Sequence, residues 1–223
     1  MQRIQVKYPS SRRKTRKLND QIESIGLNVT EVYERMYAAQ PVAVVMGASG
    51  LAKIATIYDL DRAERVDAFN ADATLVLWFG EVSRPRHVRK IHDRMAAIAD
   101  RVDRSFTVAI RPDRYRKGNR VTPSAITSGA INLTTLRMRA YVILVRSSTI
   151  DVARIYLHEL GHVWFKDQKL GVVTVYGPQA AQNLALYHPR KARRSTENYS
   201  RFAKEQYIAD GHPVTGDGFY SAV

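Results

Sequence analysis

His158, Glu159 and His162 are the residues of this chain whose types and spacing can do chemistry. Residues four apart on a helix lie one turn above each other, so His158 and His162 can present two imidazoles to one metal ion. Glu159 follows the first histidine, where its carboxylate can take a proton from a water molecule bound to that metal. The segment therefore predicts a metal-dependent hydrolytic site on a helix.

The pentapeptide His-Glu-Leu-Gly-His has the H-E-x-x-H pattern of zinc metallopeptidases. Ser148, Thr149 and Asp151 offer N-caps before it, and apolar residues surround most of the predicted helix, so we expect it inside a domain. Gly161 costs a helix about 1 kcal/mol relative to alanine. Its presence predicts that the backbone here passes close to a neighbouring element or to the floor of the metal site.

A catalytic zinc site usually has three protein ligands and one open position for water. The chain has no cysteine, so thiolate ligands are excluded. Phe165 and Gln168 stand where metzincins carry glycine and histidine, which excludes that class. Seven downstream side chains of suitable chemistry remain: Asp167, His188, Glu197, Glu205, Asp210, His212 and Asp217.

Glu197 is the strongest candidate for the third ligand. It opens a predicted capped helix over residues 195–207, and the small Ser200 one turn later would let this helix approach the metal helix closely. His188 is the main alternative, and it lies in a basic segment just before Pro189. Three histidine ligands would be similar to the SprT-like, DNA-associated metallopeptidases, whose Gly-His turn is missing here.

The HELGH pentapeptide followed by a later Glu-x-aromatic-small helix resembles the glutamate-ligand zincins. It is closest to the lethal-factor-type toxin metallopeptidases and the small HELGH peptidases of mobile elements. The resemblance covers roughly residues 125–210, and only the pentapeptide is specific. It implies an α+β fold, a zincin-like domain with a twisted mixed sheet beside the metal-binding helix and a second helix that carries the third ligand.

The same resemblance implies a zinc metallopeptidase that hydrolyses peptide bonds in a protein or peptide substrate. His158, His162 and Glu197 would hold Zn²⁺, and Glu159 would act as general base. These families also use a side chain near the third ligand to stabilise the oxyanion, for which three tyrosines are candidates: Tyr176, Tyr187 and Tyr199.

The rest of the chain predicts the elements that position this site. We expect a helical segment over residues 18–39, one domain over 40–210 because no linker interrupts it, and a loop-like tail over 211–223. Apolar runs predict strands at 41–46, 73–79 and 106–110. The resemblance to the glutamate-ligand zincins implies a pair of strands before the metal helix, at 128–133 and 140–145. Helical spacing predicts helices at 61–69 and 84–102.

The net charge of +14 is typical of proteins that meet polyanions. Residues 1–17 hold no acid and predict a basic flexible arm, which could contact nucleic acid, an acidic protein or an anionic membrane surface. A third, more dispersed run of cations covers residues 84–94 and 111–120. The predicted polyanion-binding residues come from the arm and from a second run: Arg12, Arg13, Lys14, Arg16, Lys17, Arg190, Lys191, Arg193 and Arg194.

No run of 18 apolar residues and no apolar leader occurs, so we expect neither a transmembrane segment nor a signal peptide. The expected location is the cytoplasm or a virion. A catalytically idle scaffold is the alternative function: a virion or mobile-element structural protein with a zincin-like domain and a basic nucleic-acid-contacting surface. A toxin effector is a further possibility.

Overall fold

The computed structural model of the chain describes residues 4–113, 115–116, 119–120, 125–128, 136–141, 144, 147–165 and 177–214. The helices are α1 (Arg12–Glu23), α2 (Val29–Tyr58), α3 (Arg65–Ala71), α4 (Ala73–Phe79), α5 (Pro85–Asp103), α6 (Thr149–Phe165), α7 (Pro178–Tyr187), α8 (Pro189–Ala192) and α9 (Thr196–Ala209). The strands are β1 (Ile4–Lys7), β2 (Phe106–Arg111), β3 (Tyr115–Arg116), β4 (Asn119–Arg120), β5 (Ala125–Ser128) and β6 (Leu136–Tyr141).

Helix α2 lies at the centre and contacts α5, α6 and α9. It begins with a capping box: the Asn28 side chain accepts from the Glu31 N–H at 3.0 Å, and the Glu31 carboxylate accepts from the Asn28 N–H at 2.7 Å. The strand predicted at 41–46 is therefore wrong, because the helix continues through these residues. A short apolar run cannot by itself distinguish a buried helix from a strand.

Two glycines of α2 let its neighbours approach closely. A Cβ on Gly47 would lie 3.2 Å from the Cα of Ala99 in α5, and one on Gly50 would lie 3.1 Å from the Cβ of Ala203 in α9. Both glycines are contact points in a helical core.

The strand predicted at 73–79 is also wrong, since these residues form α4. Asp72 caps this helix by accepting hydrogen bonds from the N–H groups of Thr74 and Leu75, at 3.1 and 3.0 Å. Trp78 and Phe79 at its end are buried. The predicted helix at 84–102 is confirmed as α5, and the helix predicted at 61–69 is found slightly later as α3.

The sheet has the order β1-β2-β6-β5. Strands β1, β2 and β6 are parallel, with Val6 opposite Val108 and Val108 opposite Met138. Strand β5 pairs antiparallel with β6 and contacts α6, so a mixed sheet lies beside the metal helix. Strand 106–110 is confirmed. Of the strand predicted at 140–145, residues 140 and 141 end β6, and residues 142, 143 and 145 lie outside the described residues. Of the strand predicted at 128–133, residues 129–133 lie outside the described residues.

The start of the chain differs from the predicted flexible arm. Ile4 and Val6 of β1 are buried while Gln5 and Lys7 are exposed, which is the alternation of a strand with one face against a core. Leu18 and Ile22 of α1 are buried as well. Lys7 therefore lies on β1, and the basic residues between 12 and 17 lie on α1. Helix α2 runs across the domain boundary expected at residue 40.

By length and composition alone, α2 could cross a membrane. In this structure it packs among α5, α6 and α9. The expectation of no transmembrane segment stays a prediction.

The ordered start of the chain can be tested with Val6→Asn and the adjacent Gln5→Asn. We expect Val6→Asn to lower the free energy of unfolding by about 2–4 kcal/mol, because it replaces a buried apolar side chain by an amide. Gln5→Asn on the exposed face should change it by less than about 0.5 kcal/mol. Urea unfolding followed by circular dichroism measures both, and equal small effects would contradict a folded β1.

Candidate metal centre

Helix α6 carries the three site residues into the interior. The Ser148 hydroxyl accepts from the Asp151 N–H at 3.3 Å and donates to the Asp151 carboxylate at 2.8 Å, which starts the helix. His158 is 3% exposed and Glu159 is 7% exposed, so both are buried as predicted. His162 is half-buried.

The two histidines converge through their Nε2 atoms, which lie 3.0 Å apart with the rings at 89° to each other. Two nitrogens bound to one tetrahedral zinc lie about 3.3 Å apart, given Zn–N distances of about 2.0–2.1 Å. Ligand atoms of His158, Glu159 and His162 all lie within 4.8 Å of one another. These residues fit a metal ion with a carboxylate beside it.

Glu197 contacts the other nitrogen of His158. Its Oε2 lies 2.8 Å from Nδ1, on the side of the imidazole ring away from Nε2. In this arrangement the carboxylate fixes the ring and favours a proton on Nδ1, which leaves Nε2 with a lone pair for a metal. Among the described residues, the group whose ligand atoms converge contains neither Glu197 nor His188.

The Glu197 carboxylate is 3% exposed and is surrounded by donors. Arg154 Nη1 lies 3.2 Å away, Arg201 Nε forms an ion pair with it, and the Gly177 N–H donates to it at 3.2 Å. Burial would raise the pKa of Glu197, but the hydrogen bond with His158 and the charge of Arg154 outweigh it and hold this pKa far below its usual range. The carboxylate is therefore ionised at neutral pH.

Thr196 contacts the second histidine from the same helix start. Its hydroxyl oxygen lies 3.3 Å from Nδ1 of His162 and 3.5 Å from Nε2. Adjacent residues at the N-terminus of α9 thus contact the two histidines of α6. The approach is close because residue 161 is glycine: a Cβ there would lie 2.8 Å from Cγ2 of Thr196. This confirms that the backbone at Gly161 passes close to a neighbouring element.

The remaining candidates lie elsewhere. His188 is an exposed residue between α7 and α8. Glu205 accepts from the Trp78 indole at 2.5 Å, His212 stacks on Tyr207, and Asp210 ends α9. Asp167 and Asp217 are outside the described residues.

The tyrosines suggested for stabilising the oxyanion lie in different environments. Tyr199 is fully buried between Phe79 and Phe165, and its hydroxyl donates to the Arg193 carbonyl at 3.2 Å. Burial raises the pKa of Tyr199 to about 12. Its hydroxyl is thus buried and already hydrogen-bonded to the main chain. Tyr187 is 69% exposed at the end of α7, and Tyr176 is outside the described residues.

Sequence reasoning missed Arg154 and Arg201 as partners of Glu197, and it missed the contact of Thr196 with His162. A usable signal was present: Arg154 precedes His158 by one helical turn, and Arg201 follows Glu197 by one turn. Both spacings place a cation beside a site residue on the same helix face.

The contact between Gly161 and Thr196 yields a test with an internal rescue. We expect Gly161→Ala to weaken zinc binding by at least about tenfold, because its methyl group pushes α9 away from α6. Thr196→Ser removes Cγ2 and keeps the hydroxyl, so the double variant Gly161→Ala/Thr196→Ser should recover most of the affinity. Competition with a chromogenic chelator measures both, and failure of the rescue would contradict this steric account.

Comparison with known proteins places this arrangement in a structural context. The solved structure of a zinc peptidase from Grifola frondosa is similar, with a TM-score of 0.50 and 14% sequence identity over 74% of this chain and 94% of that chain. No protein-family model matches the sequence. No curated protein matches it at a significant level. At this identity the likeness concerns the fold, and it supports the predicted α+β, zincin-like architecture.

Proposed function

We propose that this chain is a zinc-dependent peptidase. The observation that carries the proposal is the buried cluster in which the Nε2 atoms of His158 and His162 meet at 3.0 Å, with Glu159 in the same group. Two converging imidazoles suit zinc as ligands, and the Glu159 carboxylate beside them can act as a base toward a metal-bound water, which together give a hydrolytic site. A fold neighbour that is itself a zinc peptidase supports a peptide or protein as substrate.

Each residue has a role that follows from its position. His158 and His162 would hold the metal through Nε2, and zinc when bound would polarise a peptide carbonyl and lower the pKa of water toward 7. Glu159 accepts the proton of the attacking water and donates a proton to the leaving amine. Glu197 and Thr196 hold the two imidazoles in place from α9.

For Glu197 we favour an orienting role over direct ligation. Its Oε2 contacts Nδ1 of His158, and both carboxylate oxygens are engaged by neighbouring donors. The ligation by Glu197 expected from the sequence would require the carboxylate to leave that nitrogen. Carboxylate–histidine–zinc contacts of the orienting kind fix the tautomer and raise the basicity of the ligand.

The peptidase proposal predicts different outcomes for two substitutions. Glu159→Gln should lower peptide hydrolysis by at least about a hundredfold and keep zinc, because the base is lost while both imidazoles remain. His162→Ala should lose both zinc and hydrolysis. Elemental mass spectrometry reports zinc, and a fluorogenic peptide library reports cleavage.

If Glu159→Gln cleaves as fast as the unmodified protein, the proposed mechanism is wrong. One zinc per chain without any cleavage would instead indicate the idle scaffold that the sequence allows as an alternative.

The role of Glu197 can be separated from ligation by Glu197→Gln. The amide oxygen can still accept a hydrogen bond from Nδ1 of His158, so an orienting role predicts zinc affinity lowered by about 10–100-fold. Loss of zinc beyond that range would assign Glu197 as a ligand. The control is Glu205→Gln, because Glu205 lies on the same helix but accepts a hydrogen bond from Trp78. This variant should bind zinc normally. Unchanged affinity in Glu197→Gln would contradict both roles.

A further inference from the structure

A strongly basic cavity of about 640 Å³ lies between the first half of α5 and the segment of α8 with the turn that follows it. Two runs of cations that are about 100 residues apart in the sequence meet there. We call it the basic cavity, and its lining residues are Ser83, Arg84, Arg86, His87, Lys90, Arg94, Arg190, Arg193 and Arg194.

The cations of the basic cavity have no acidic partners among the residues that the structure describes. Arg193 donates instead to the carbonyl of Glu81 at 2.8 Å, and Arg94 donates to the carbonyl of Arg193. No carboxylate is among the described residues that line the cavity. Like charges gathered in one concavity repel each other and raise the local positive potential, which an anion would relieve.

His87 supports this description independently. Its Nδ1 is buried and has no hydrogen-bond partner within the described part of the chain. Burial, and then the charges of Arg193, Arg86, Arg84 and Lys90, lower the pKa of His87. The potential that disfavours protonation of this imidazole is the potential that would attract an oxyanion.

We propose that the basic cavity binds a compact oligophosphate, a ligand with several phosphate groups on a small body. Guanidinium groups match phosphate oxygens with paired hydrogen bonds, and six of the seven cations are arginines. An acidic peptide spreads its carboxylates along an extended chain, whereas an oligophosphate places several charges within one cavity of this size. A nucleic-acid duplex is recognised along an extended basic surface rather than inside a concavity.

The basic cavity is separate from the metal centre but close to it. Arg94 lies with its Cζ 5.5 Å from the ring centroid of Phe165, which is one helical turn after His162. Arg193 and Arg194 precede Thr196 in the sequence by three and two residues. The proposal does not rest on peptidase activity, but zinc content must be followed alongside ligand binding.

The test uses tripolyphosphate as the probe and two matched double variants. Lys90→Gln/Arg190→Gln removes one lysine and one arginine that line the cavity. Arg89→Gln/Lys191→Gln removes the adjacent arginine and lysine from the same two helices. Lys191 belongs to the run predicted from the sequence to bind polyanions, but in the structure neither Lys191 nor Arg89 lines the cavity. All four side chains are exposed, so both variants should fold, and both lose the same net charge.

Isothermal titration at fixed ionic strength should show saturable binding of tripolyphosphate to the unmodified chain. We expect the first variant to bind at least about tenfold more weakly, since charge-assisted hydrogen bonds to the ligand are lost. The control should stay within about twofold. Zinc is measured before and after each titration, because tripolyphosphate also chelates divalent cations.

Three results would overturn the proposal. Equal weakening in both variants would show that only net charge matters. Tighter binding of an acidic peptide, or of a short DNA duplex at the same phosphate concentration, would assign the cavity to another class of ligand. No saturable binding to the unmodified chain, or heat explained by zinc loss alone, would leave the cavity without this function.

Discussion

The rest of the site depends on how the buried negative charge of the Glu197 carboxylate is compensated. An uncompensated charge in a protein interior is costly, and removal of one partner from a buried ion pair destabilises a fold by about 3–5 kcal/mol. Here the compensation comes from Arg154 and His158 on α6 and from Arg201 on α9. The requirement to surround one charge therefore fixes two helices, and with them the direction in which His158 presents Nε2.

Close packing makes that arrangement rigid. Gly161 lets Thr196 approach α6, and Gly50 lets Ala203 approach α2, so α9 contacts both helices at positions without side-chain bulk. A helix held from two sides cannot shift far without overlap, since protein interiors are packed about as densely as organic crystals. The small residues thus fix the position of α9, whereas the ion pairs of Glu197 fix the orientation of the His158 ring.

The site helix was predictable because its chemistry is local. Spacing within one helix predicts which side chains share a face, and the poor helix propensity of Gly161 indicated the close contact that the structure shows. The strands at 41–46 and 73–79 were predicted wrongly because short apolar runs fit a buried helix equally well. The arm over residues 1–17 was expected to be flexible because of its charge, and the alternation of buried and exposed residues in Ile4–Lys7 was not used in that prediction.

Contacts between residues that are far apart in the sequence could not be predicted from one sequence. Each basic run resembles a solvated face when it is considered alone, and only the fold brings residues 84–94 against residues 190–194. The carbonyl of Arg193 accepts from both Arg94 and Tyr199, which ties the turn after α8 to α5 and to the core. That turn ends at the residues that contact the two histidines. One segment therefore contributes to both the basic cavity and the candidate metal centre. In this segment Arg193 and Arg194, which have no acidic partners among the described residues, are followed within four residues by Glu197, whose carboxylate pairs with Arg154 and Arg201.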